Sequence, residues 1–83
     1  MAEVSLSPEL IAEIRLLLQF PLHSLQTGLK LHTTASSELL AAADRLYHKG
    51  MITQSDGGYL TDRGLEATVS AVRLINALQP VMH

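Results

Sequence analysis

Apolar positions recur along this chain at two spacings, and the spacing changes twice. Leu10, Ile11, Ile14, Leu17 and Leu18 fall at helical intervals and predict a helix from Ser7 to about Phe20. Ser7 suits the cap, Pro8 the first helical position, and Glu9 the positive end of the helix. Pro21 disfavours helix at Phe20 and so closes the element. Glu13, Arg15 and Gln19 fall on the side expected to face solvent.

The stretch from Leu22 to Leu31 predicts a short second helix. Ser24 serves as its cap, Gln26 and Lys30 lie within it, and Leu25, Leu29 and Leu31 face inward. Gly28 weakens it by about 1 kcal/mol of propensity. That glycine either lets two helices approach closely or simply marks a turn. His32-Thr33-Thr34-Ala35-Ser36 is then a turn rich in capping groups, with Thr34 or Ser36 capping a third helix. In that helix Leu39, Leu40, Ala43, Leu46 and Tyr47 form the expected buried face, and Gly50 after Lys49 is a left-handed stop.

The period then shortens. Met51-Ile52-Thr53-Gln54 and Tyr59-Leu60 read as two strands joined through Ser55-Asp56-Gly57-Gly58, where the glycines supply positive φ. Ile52 and Leu60 are expected to point at the helices, because a two-stranded ribbon is marginal without support. Thr61 caps a last helix whose core-facing stripe is Leu65, Val69 and Val72. Leu74, Ile75 and Leu78 widen the apolar surface, and Pro80 ends the helix. Residues 1–6 read as a flexible lead-in, 7–79 as one domain and 80–83 as a tail. The fold class expected is mainly helical with a small β-hairpin, a winged helix-turn-helix.

The order of elements resembles a winged helix. The phrase RLYHKGMITQSDGGYLTDRG is similar to the pattern of MarR- and PadR-like bacterial regulators, through Leu46, Lys49, Gly50, Met51, Ile52, Leu60, Thr61 and Gly64. In those families the leucine-bearing helix reads the major groove and the glycine hairpin is the wing. The whole chain, from SPELIAEIRLLLQF through GLKLH to ITQSDGGYLTDRG, resembles more closely a small single-domain family of gammaproteobacteria labelled DNA-binding. The resemblance spans about residues 7 to 78 and implies the fold; it implies no established activity. Two departures stand out: the wing tip lacks Arg and Lys, and a single C-terminal helix replaces the extended dimer platform of the larger regulators.

Charge changes the picture. The 83 residues carry six Lys and Arg against eight Asp and Glu, a formal net charge of −2, whereas a dedicated nucleic-acid binder more often carries a basic excess. From Lys30 to Arg63 there are four basic side chains, set against Glu38, Asp44, Asp56 and Asp62. Tight specific binding often uses roughly 6–10 phosphate contacts, so a monomer is expected to bind duplex DNA weakly, and a dimer doubles its contacts. Within that reading Arg45 is the base reader, suited to guanine O6 and N7. Ser36 and Ser37 sit at a helix start and suit a phosphate, Lys30, Lys49 and Arg63 suit the backbone, and His48 and Tyr59 are lesser contacts. The expected function is therefore weak or dimer-dependent duplex DNA binding, with transcription regulation as its use. The alternative is a winged helix kept for protein contact alone.

Leu74, Ile75, Leu78 and Val81 cluster towards the C-terminus and are the expected homodimer interface, unless both chain ends pack on each other within one monomer. The four histidines lack ligand spacing, so no metal is expected, and no cofactor. With no cysteine, no nucleophile elbow and no phosphate loop, no enzyme activity is expected. No apolar run approaches the roughly 20 residues of a spanning helix, and the start lacks signal-peptide features, so no membrane association and a cytoplasmic location are expected.

Overall fold

A computed structural model describes residues 5–22 and 27–80. Helix α1 covers Pro8–Leu17, strand β1 Leu29–Lys30, helix α2 Ser37–His48, strand β2 Ile52–Gln54, strand β3 Gly57–Leu60, and helix α3 Asp62–Leu78. The described residues thus form three helices with one small antiparallel sheet, ordered β1-β3-β2. None of the described helices is long and apolar enough to cross a membrane.

All three helices begin on a hydroxyl cap, as the local sequence requires. Ser7 Oγ accepts from the Leu10 N–H at 3.1 Å, Ser36 Oγ from Leu39 at 3.2 Å, and Thr61 Oγ1 from Gly64 at 3.0 Å. Each bond satisfies one of the orphan amides of a first helical turn. Of the two caps open for α2, Ser36 is the one used. Gly50 follows α2 with φ of 77°, the left-handed conformation that glycine adopts at little cost.

The expected second helix is replaced by sheet. Its cap, Ser24, and Leu25 and Gln26 lie outside the described residues, but Leu29 and Lys30 are extended and pair with Gly58 and Gly57. The Leu31 N–H continues the pairing onto the Asp56 carbonyl at 2.9 Å. A helix this short with an internal glycine has little intrinsic stability, and β3 offers its backbone a ready partner. Gly28 accordingly has a third role: a Cβ there would stand 2.8 Å from the Gly58 carbonyl oxygen and 3.1 Å from the Tyr59 ring. The expected hairpin is therefore part of a three-stranded sheet with β3 at its centre, and its two-residue reversal is Ser55-Asp56. Gly57 and Gly58 keep their positive φ, at 129° and 76°, inside β3. Ile52 pairs with Leu60 but Gln54 with Gly57, so β3 carries one extra residue, a bulge.

The core lies between α1, α2 and β2. Leu16, Leu17 and Phe20 meet Leu31, Ala42, Ala43, Leu46 and Ile52. Two positions of α2 are rotated relative to the expected face. Ala42 is fully buried, whereas Tyr47 is 44% exposed and packs edge-on against the His48 ring. Turning by roughly one position brings the small alanines against α1, where the larger ring would hold the helices apart. In α3 the deeply buried positions are Gly64 and Thr68, while Leu65, Val69 and Val72 are only half-buried. Thr68 satisfies its hydroxyl by donating to the Gly64 carbonyl at 2.8 Å.

Candidate nucleic-acid interface

The outer side of α2 carries the residues expected to contact a duplex, and beneath it lies Glu13 of α1. Expected on the solvent side, Glu13 is instead only 4% exposed. It falls one position after Ala12, where α1 turns its flank towards α2, and a buried carboxylate needs partners. Arg45 supplies one, with Nε donating to Glu13 Oε2 at 3.1 Å. Lys49 supplies the other, with Nζ on Glu13 Oε1 at 2.5 Å. Arg45 also donates through Nη2 to the Glu9 carbonyl at 3.1 Å. These two cations, four residues apart on one helix face, thus close over a single carboxylate.

This arrangement changes what each expected contact residue can do. Arg45 is half-buried, and its guanidinium is aimed back at α1. Turning it to a guanine would leave Glu13 with one partner in place of two. Lys49 is more exposed and held by the same carboxylate. His48 is exposed, with Nδ1 2.8 Å from the Asp44 carbonyl oxygen and 3.6 Å from the Asp44 carboxylate. Ser36 uses its hydroxyl as the α2 cap, while Ser37 beside it is exposed.

Four basic side chains remain open. Among the described residues Arg15, Lys30, Arg63 and Arg73 are exposed and make no ion pair. Lys30 stands on β1 opposite Gly57, near the hairpin turn, and Tyr59 on β3 is 45% exposed beside Gly28. Arg63 lies in the first turn of α3, next to exposed Asp62. Lys30, Tyr59 and Gln54 rim a shallow hollow floored by Gly28 and Gly58. The exposed part of α2 carries Glu38 and Asp44. The surface is therefore mixed in sign: Glu38 and Asp44 lie on α2, Lys30 on the sheet, and Arg63 next to Asp62 at the start of α3.

The expected dimer residues lie on α3. Leu74 is 61% and Leu78 74% exposed, and Ile75 is half-buried. Val81 falls outside the described residues. The signal for the Glu13 pair was present in sequence only as charge: nothing in the spacing of Glu13, Arg45 and Lys49 brings them together until α1 crosses α2.

Among the described residues these features make up three helices and a three-stranded sheet, with the buried carboxylate of Glu13 joining two of the helices. Residues 4–79 match the family of unknown function DUF5669, and the chain belongs to that family. No curated protein and no solved structure matches it.

Proposed function

We propose that this chain is a winged helix whose main work is protein association, first of all with a second copy of itself. The sheet order β1-β3-β2 beside α2 supports the winged-helix reading. In it α2 stands in the place of the recognition helix and β2–β3 in that of the wing. The observation that carries the association reading is the end of α3, where Leu74 and Leu78 face solvent on a helix of 17 residues whose deeply buried positions lie in its first half. Large apolar side chains grouped on one helix face mark an interaction surface more often than scattered exposure does. Sedimentation velocity over a range of concentrations tests it. A mass near twice 9.0 kDa is expected, and a single-copy mass at every concentration would refute it.

A second reading, duplex DNA binding, is favoured by the open cations Lys30 and Arg63 and by Ser37 at the start of α2. It is a binding of phosphates rather than of bases, because Arg45 is held by Glu13 and Glu9. Its affinity belongs with non-specific binding, roughly 10⁻⁴–10⁻⁶ M, and falls steeply with salt. Fluorescence anisotropy with random duplex at low and moderate salt decides it. The Arg45→Ala variant is expected to bind as the parent does, and a loss of sequence preference in it would restore the base-reading role.

A further inference from the structure

Resting on the duplex-binding reading, we infer that Glu13 is an autoinhibitory latch, which holds Arg45 and Lys49 against α1 and so keeps the outer side of α2 from gripping phosphates. Both cations end on this one carboxylate, at 3.1 and 2.5 Å, although it belongs to another helix. Four residues apart, they share one flank of α2 and its cap. Among the described residues Lys49 has no other side-chain partner, and Arg45 has only the neutral Glu9 carbonyl besides Glu13. The charge of the carboxylate is therefore what holds them.

Packing alone gives no reason for an acid at this position. Leu16 and Leu17, one turn further along α1, are buried and apolar, and an apolar side chain at 13 would continue their face. Such a replacement for a buried ion pair is often neutral or stabilising, because desolvation of the charges offsets their attraction. What the carboxylate does that an apolar side chain would not is neutralise cations of α2.

The latch also sets the sign of this face. Outside the triad, the charged groups on the exposed side of α2 are the acids Glu38 and Asp44, with His48 lying against Asp44. Two cations on one carboxylate leave the triad at +1, and a neutral residue at 13 would raise it to +2. Glu9 and Glu38 line the same hollow as Arg45. Both are exposed, and exposed ion pairs are worth little, so neither replaces Glu13 as a hold.

Fluorescence anisotropy with random duplex over a range of salt, on full-length Glu13→Gln, tests the latch. Gln keeps the shape of the side chain and loses its charge. Binding about tenfold tighter than the parent's at low salt is expected, with a salt slope steeper by about one to two units, one for each released cation. Removing any acid raises the net charge, so Glu66→Gln, exposed on α3, serves as the control and is expected to bind within about twofold of the parent. Arg45→Ala leaves binding unchanged in the parent but is expected to remove about one unit of slope from Glu13→Gln, and this non-additivity is what a latch produces. Glu13→Met makes the same release with an apolar side chain. Binding by Glu13→Gln and Glu13→Met no tighter than the parent's would overturn the latch and leave weak duplex binding standing. An equal gain in Glu66→Gln would assign the effect to net charge and overturn it too. Binding by the variants but not by the parent would uphold the latch and end the weak-binding reading, while no binding by any of them would overturn both. If circular dichroism shows that neither variant at 13 folds, Glu13 is a structural residue and the latch is overturned.

Discussion

Glu13 shows how one side chain can decide the use of a surface. A carboxylate at this depth is tolerated because Arg45 and Lys49 both reach it from α2. Removing a partner from a part-buried charged hydrogen bond costs about 1–3 kcal/mol, mostly through what is left unpaired. Arg45→Ala is therefore expected to lower unfolding free energy by about that amount in urea titration. Lys49→Ala should cost less, because its side chain is half exposed, against one third for Arg45, and Arg45 alone also holds the Glu9 carbonyl. Equal losses in the two variants would mean that the pair is not shared as described. The same geometry removes Arg45 from the set of free cations, so stability and base reading make opposing demands on it.

At the scale of elements, the junction of α2, β2 and α3 is closely packed. The Met51 N–H donates to the Leu46 carbonyl, and the Met51 carbonyl accepts from the Thr61 N–H. The Thr61 hydroxyl donates to the Gly50 carbonyl while capping α3. Gly64 in the first turn of α3 then lies directly against Met51, and an added Cβ would collide with the Met51 carbonyl oxygen. Helix propensity alone predicts that Gly64→Ala stabilises α3 by about 1 kcal/mol. The collision should win, because backbone must move to admit the methyl group, and overpacking of this kind costs about 1–3 kcal/mol. A net loss of stability is expected on denaturation, and a gain would show that α3 can shift without cost. Gly57 is held more firmly still, since its φ of 129° disfavours any side chain and a Cβ would meet the Leu29 carbonyl.

At the scale of the molecule, association and folding should separate. Leu74→Lys together with Leu78→Lys is expected to abolish the two-copy mass while changing monomer stability by no more than about 0.5 kcal/mol, the usual range for exposed positions. A large loss of stability would mean that the end of α3 packs within its own chain. Duplex binding, where present, should lose about one unit of salt slope for each of Lys30→Ala and Arg63→Ala.

The local chemistry of the sequence was enough for everything that depends on neighbours along the chain. Hydroxyl caps at Ser7, Ser36 and Thr61, the stop at Gly50 and the turn-forming residues around Asp56 are short-range effects, and three helices and a hairpin follow from them. Tertiary structure alone decided the rest. Leu29 and Lys30 became a strand because β3 offered backbone partners more than 25 residues away, which no local propensity reports. Glu13 went inside because Arg45 and Lys49, 32 and 36 residues later, arrive on the same side of α1. Periodicity assigns a charged position to solvent, since burying a lone charge is costly, and only the folded chain supplies the countercharges that reverse that cost.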